Sequence, residues 1–126
     1  MSAEPRSHHR AVLVVDDDED IRLVISDVLE LSGYRAVTAG DGEDALMLMA
    51  RDPEVGLVLL DMMMPGVDGW EFRRRQLQDP TLARVPVVIL SGAGGTEKIA
   101  HELGADGFLS KPVMKAQLLE MVKRYC

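Results

Sequence analysis

Five positions in this chain carry side chains whose combined chemistry suits a phosphoryl group: Asp16, Asp17, Asp61, Ser91 and Lys111. Each follows an apolar run of strand length. Residues 12–15 lead into Asp16-Asp17, residues 56–60 into Asp61, residues 86–90 into Ser91, and residues 107–109 into Ser110-Lys111. At an effective dielectric of ~20, two carboxylates ~4 Å apart repel by about 4 kcal/mol, so a third one beside Asp16 and Asp17 calls for a cation. A hard, oxygen-ligated Mg2+ that keeps some of its waters is the expected occupant. With that ion bound, the carboxylate pKa values are drawn down again and Asp61 stays ionised. Ser91 offers a hydroxyl, the following Gly92-Ala93-Gly94-Gly95 turn offers backbone amides, and Lys111 offers an amine. An ionised carboxylate, a hard cation, a lysine and a hydroxyl donor form a kit for phosphoryl transfer, where the protein supplies position and charge.

Taken singly, each position has an ordinary explanation. A strand-end serine is usually a turn residue, and Lys-Pro usually opens a helix. Asp18, Glu19 and Asp20 are explained as a cap and dipole partners for a helix that starts there. The weight lies in the coincidence: the chemistry falls at the carboxyl ends of all four apolar runs, and in an open parallel sheet that edge is where ligands bind.

The elements that must position these residues can be read from periodicity. Residues 12–15, 56–60 and 86–90 are apolar at almost every position, as strands covered on both faces should be, and residues 107–109 form a weaker fourth run. Arg35–Ala39 is mixed and partly β-branched, which suits an edge strand. Between them, Ile21, Val24, Ile25, Val28 and Leu29 repeat with helical period, and Gly33 follows as a stop. Asp41 and Asp68 are expected N-caps of a second and a third helix, ended by Asp52-Pro53 and Asp79-Pro80. Leu46, Met47, Leu48 and Met49 are read as packing, and Arg73, Arg74 and Arg75 as a solvated face. A fourth helix is expected around residues 96–103, stopping at Gly104, and a fifth opening near Pro112 with Met114, Leu118, Met121 and Val122 on one side. Strand and helix thus alternate five times. The expected fold is α/β: a doubly wound five-stranded parallel sheet of order 2-1-3-4-5 flanked by five helices.

Bulk properties narrow the function classes. The chain has 126 residues, 47% apolar, enough for one globular domain. Its formal charge of −7 opposes binding to nucleic-acid phosphates or anionic lipid. The single cysteine, Cys126, has no internal partner, no Cys/His spacing matches a zinc site, and a cytoplasmic location is the expectation. No apolar run approaches the ~18 residues of a membrane span. Residues 1–10, which include His8 and His9, read as a polar flexible leader without a secretory h-region, ahead of a domain over 11–126.

At this point a family resemblance is carried by VLVVDDDEDIR (12–22), LVLLDMMMPGVDG (57–69), PVVILSG (86–92) and GADGFLSKP (104–112). The chain resembles a response regulator receiver domain of two-component signalling, with a flavodoxin-like fold, over nearly all of its length. The resemblance implies that Asp61 accepts a phosphoryl group and that Asp17 ligates Mg2+ directly. It further implies that Asp16 does so mostly through water and Met63 through its backbone carbonyl. Lys111 would pair with Asp61 or its phosphoryl group, and Ser91 and Phe108 would form the switch. The implied donor is a sensor histidine kinase or a histidine phosphotransfer protein, and the implied output is protein–protein contact or phosphorylation-dependent self-association. Because the chain ends just after the fifth helix, a single-domain form is expected. Phe108 lacks a phenolic hydroxyl, and Met63 and Ala93 offer no side-chain hydrogen bond to an attacking water, so rapid self-dephosphorylation is not expected.

Two rivals share parts of this pattern. An aspartate-nucleophile phosphatase of the haloacid dehalogenase kind would place an acidic residue two after the nucleophile, where this chain has Met63. A receiver-like interaction module without phosphorylation would be expected to lack some of Asp16, Asp17, Asp61, Ser91 and Lys111. All five are present.

Overall fold

The computed structural model describes residues 10–92 and 94–126. The leader 1–9 and Ala93 of the glycine-rich turn therefore lie outside the described residues. Five strands, β1 (Ala11–Val15), β2 (Arg35–Ala39), β3 (Val55–Asp61), β4 (Val87–Ser91) and β5 (Gly107–Ser110), form one sheet of order β2-β1-β3-β4-β5 with every neighbouring pair parallel. Five helices alternate with them: α1 (Glu19–Leu31), α2 (Gly42–Arg51), α3 (Gly69–Gln78), α4 (Thr96–Leu103) and α5 (Lys115–Tyr125).

β1, β3 and β4 are buried along their whole length because both faces of the sheet are covered. Ala11, Leu13, Val15, Val58, Leu60, Val87 and Ile89 face one way, against Ala45 and Met49 of α2, Phe72 of α3 and Ala100 of α4. Val12, Val14, Leu57, Leu59, Val88 and Leu90 face the other way, against Ile25 and Leu29 of α1 and Leu118 and Val122 of α5. The two-residue alternation of a strand thus divides the core into two layers. β2, at the edge, is exposed at Arg35 and Thr38.

Helix boundaries follow local chemistry. Asp18 caps α1, its carboxylate accepting from the amides of Asp20 at 2.9 Å and Ile21 at 3.3 Å. Asp41 caps α2 through the Asp44 amide at 2.8 Å, and Asp68 caps α3 through the Glu71 amide at 3.0 Å. α4 stops at Gly104, whose φ of 65° closes the helix in the left-handed region. At Gly69 a Cβ would come within 2.8 Å of the Met62 Cα, so only glycine lets α3 begin this close to the end of β3.

Four sequence expectations need correction. α5 begins at Lys115 rather than near Pro112, because Met114 is extended and stands as its N-cap. Met114 is consequently exposed, not on the apolar side of α5. Val24 and Met47 are also exposed, since the inner stripes of α1 and α2 are narrower than the apolar runs that contain them. Arg73 is buried, whereas Arg74 and Arg75 lie on the outer face and pair with Glu71. Helical period explains the split. Gly69, Phe72, Arg73 and Gln76 form an i, i+3, i+4, i+7 stripe that faces inward.

Candidate functional site

The carboxyl edge of the sheet collects the residues singled out by spacing. Asp16 and Asp17 follow β1, Asp61 ends β3, Ser91 ends β4, and Lys111 follows β5. The register makes this an edge in common. Asp61 stands opposite Leu90 and Ser91 opposite Ser110, while the Asp16 amide donates to the Ala39 carbonyl and the Lys111 amide to the Ser91 carbonyl. Strand order changes direction between β1 and β3, which places the two acidic strand ends side by side.

Carboxylate oxygens of Asp16, Asp17 and Asp61 all lie within 4.8 Å of one another. Asp16 and Asp61 are buried and Asp17 is exposed, so the cluster opens to solvent on one side. The Lys111 ammonium sits 2.9 Å from Asp16 Oδ2 and 3.4 Å from Asp61 Oδ1. Asp61 Oδ1 also accepts from the Met63 amide at 3.2 Å, and Asp16 Oδ1 from the Asp18 amide at 2.9 Å. Burial raises the Asp61 pKa above its ordinary value, and the neighbouring Asp16 raises it further, against the opposing pull of the Met63 amide and Lys111. Burial alone would lower the Lys111 pKa, but Asp16 and Asp61 outweigh it and the pKa is raised.

The donor set fits a hard cation. At 4.8 Å and an effective dielectric near 20, each ionised pair repels by about 3.5 kcal/mol, and one lysine cannot offset three carboxylates. Asp16 Oδ2 is fully buried, and its contact with Lys111 is an ion pair without the direction of a good hydrogen bond. An all-oxygen cluster with a poorly directed buried lone pair is the chemistry Mg2+ takes.

Arg22 was not anticipated as part of this site. Its guanidinium Nη1 donates to the Asp16 carbonyl at 2.7 Å and lies where a Cβ on Gly40 would meet it at 3.4 Å. The signal was positional: Arg22 comes one turn into the helix that leaves the acidic strand end, within reach of the chain it has just left. Met63 is exposed beside the cluster, Ser91 is buried at the end of β4, and Phe108 is half-buried against the layer that contains α4. A cleft of about 510 Å³ lies at the opposite edge around Arg10, Pro53 and Leu82 and contains none of these groups. The carboxylate cluster reaches solvent through Asp17, with Asp16 and Asp61 buried behind it.

Comparison with known proteins agrees with this architecture. The family model described as the response regulator receiver domain matches residues 12–123. The rice two-component response regulator ORR5 (Oryza sativa) is 34% identical over 115 residues, covering 90% of this chain and 86% of that protein. The phosphate regulon transcriptional regulatory protein PhoB of Pseudomonas aeruginosa is 32% identical over 117 residues, and there the chain spans only half of the relative's length. Among solved structures, the receiver domain of the sensor histidine kinase PA1611 of Pseudomonas aeruginosa is described with a magnesium ion coordinated in its active-site cleft. It superposes with a TM-score of 0.83 at 26% identity, covering 93% of this chain and 97% of that one. Within the described residues no helix is long and apolar enough to cross a membrane. With its sheet order, its acidic edge and this match over most of its length, the chain belongs to the response regulator receiver domain family, the signalling modules of two-component systems.

Proposed function

We propose that this receiver domain is switched by a phosphoryl group accepted on Asp61, with Mg2+ held by Asp16, Asp17, Asp61 and the Met63 carbonyl. The observation that carries the reading is the convergence of three carboxylates from two strands opposite the Lys111 ammonium. When bound, the cation offsets the charge of the carboxylates and of an incoming phosphoryl group. The chain's own residues do the rest. The Met63 amide and Lys111 hold Asp61 Oδ1, which leaves Oδ2 to attack. Attack of that oxygen on the phosphorus of a phosphohistidine forms the acyl phosphate P–O bond as the P–N bond breaks. The electron pair leaves on the imidazole nitrogen of the donor, which takes up a proton. Arg22 holds the Asp16 carbonyl and so keeps the end of β1 in place.

The donor is a sensor histidine kinase or a histidine phosphotransfer protein, in a cytoplasmic setting, and a cluster that reaches solvent at Asp17 at the edge of the sheet is accessible to a protein donor. Output runs through Ser91 and Phe108 to a protein partner or to self-association. The new group adds roughly two negative charges and three acceptors, enough to bias the β4–α4 connection. Self-dephosphorylation is slow, because Met63 offers an attacking water no side-chain hydrogen bond. The test is incubation with acetyl phosphate and Mg2+ followed by intact-mass analysis. The native chain should gain one phosphoryl mass and Asp61→Asn none; equal labelling of the two would overturn the assignment.

A further inference from the structure

We infer that the cleft at the amino edge of the sheet binds a small organic carboxylate, its charge taken by Arg10 and Arg84 and its apolar body by a buried floor. The cleft measures about 510 Å³, the size of a small-molecule site, and both arginines line it. Its place follows from the strand order. β3 lies between β1 and β4, so Arg10, just ahead of β1, and Arg84, just ahead of β4, flank the amino end of β3. The site is independent of the phosphoryl chemistry at the other end of the same three strands.

Two observations set these arginines apart from an ordinary solvated face. Neither guanidinium has an ion-pair or hydrogen-bond partner among the described residues, although the chain holds 21 Asp and Glu against 14 Lys and Arg. By contrast, Arg35, Arg74, Arg75 and Arg124 pair with carboxylates, and Arg22 and Arg73 donate to backbone carbonyls. Arg51, beside Asp52 at the end of α2, is likewise without a partner there. The second observation is the seat of Arg10. A Cβ on Gly56 would come within 2.5 Å of Arg10 Cδ and 2.6 Å of its Cβ, so the arginine stem lies across the glycine and carries its charge over β3. A guanidinium held in this way presents the planar fork that a carboxylate matches. Asp52 also lines the cleft, but its carboxylate is engaged by Arg35 at 3.1 Å and by the Glu54 amide at 3.0 Å.

The floor is apolar and preformed. Met49, Val55 and Leu82 line the cleft and are otherwise buried. Gln76 Nε2 donates to the Leu82 and Val85 carbonyls, both at 3.0 Å, and the Leu82 and Ala83 amides donate to the Asp79 carbonyl. The wall between α3 and β4 is therefore fixed before a ligand arrives, which spares the ordering cost of binding. A bare anion leaves the floor unfilled, and a neutral apolar molecule leaves two cations uncompensated. The formal charge of −7 works against polyanions, so a single carboxylate on an apolar body is the class that fits.

Amide NMR titrations of the whole chain test the site with three probes: phenylbutyrate, phenylbutanol, which has the same body without the charge, and acetate, which has the charge without the body. Phenylbutyrate should shift the Gly56, Leu82 and Val85 amides saturably and bind about ten-fold more tightly than phenylbutanol, while acetate should not saturate them. Arg84→Gln should weaken phenylbutyrate by about ten-fold and leave phenylbutanol unchanged. Gly56→Ala, which displaces the Arg10 stem, should weaken phenylbutyrate likewise, and Arg10→Gln serves if that variant does not fold. Equal affinity for phenylbutyrate and phenylbutanol, or equal phenylbutyrate affinity in the native chain and Arg84→Gln, would overturn the carboxylate assignment. Shifts confined to the edge that holds Asp16 and Asp61, or no saturable shift at all, would overturn the site itself.

Discussion

Lys111 shows most directly how a single side chain balances this site. Its ammonium lies between two buried carboxylates, 2.9 Å from Asp16 and 3.4 Å from Asp61. Replacing it by methionine leaves those charges facing each other. Breaking a fully buried pair costs about 3–5 kcal/mol, and Lys111 retains 22% exposure, so Lys111→Met should lower metal-free stability by about 2 kcal/mol in urea unfolding at pH 7. The sign with pH follows from the raised pKa. Stability from Lys111 is fully present below its ordinary value of 10.5 and is lost as pH climbs through the higher folded value, so the gap between native and variant should close in alkaline solution. Mg2+ should bind the variant more tightly by calorimetry, since the competing positive charge is gone. Weaker binding would show that Lys111 helps to build the cation site instead of opposing it.

At the scale of elements, neighbouring aspartates at the start of α1 have separable tasks. The Asp18 carboxylate is not part of the cluster; it accepts from the Asp20 and Ile21 amides and starts the helix, while the Asp18 backbone amide, which any side chain would keep, donates to Asp16 Oδ1. Asp18→Ala should cost about 1 kcal/mol of stability and leave Mg2+ affinity within a factor of about two. Asp17 is exposed, and its oxygen joins the cluster. Asp17→Ala should barely change stability and should weaken Mg2+ by more than ~10-fold. Denaturant titration and calorimetry on the same two variants decide it, and a shared phenotype would mean that cap and ligand are not distinct.

Much of this was legible before any coordinates. β2 and α4 have the bounds that apolar pattern and the Gly104 stop suggest, and four strand ends could be placed because a buried parallel strand is an unbroken apolar run that ends where charge begins. What was illegible has a common physical cause. Arg22 and Arg73 act through side-chain bonds to backbone carbonyls, and a carbonyl has no residue type to signal it. Three adjacent arginines look alike as a run, although a 100° turn per residue sends one of them inward. Pro112 suggested a helix start, but residues 111–112 form a bend and Met114 is extended, so the preference of proline for a first turn was overridden.

For the molecule as a whole, the buried carboxylates lower stability, and the Mg2+ proposed above would reverse that loss. The chain already carries a formal charge of −7, and Asp61 adds a buried negative charge whose pKa is raised first by burial and then by Asp16. Between the ordinary value of 3.8 and the raised one, the native state holds more protons than the unfolded chain, so stability falls as pH rises through that window. At neutral pH the metal-free protein bears the full penalty. Asp61→Asn removes it and should raise the metal-free Tm by about 3–6 °C, roughly 1 kcal/mol, at pH 7 in a chelator. That advantage should shrink as the solution is acidified toward the ordinary carboxylate value. Adding Mg2+ at ten times its Kd should return about 1.4 kcal/mol to the native chain and little to the variant, which narrows or inverts their order. Thermal unfolding followed by circular dichroism, with chelator and with Mg2+ at two pH values, measures all four quantities. A native Tm indifferent to Mg2+, or an Asp61→Asn variant less stable than the native chain without metal, would show that the carboxylate cluster is already neutralised by the fold and has no work for a cation to do.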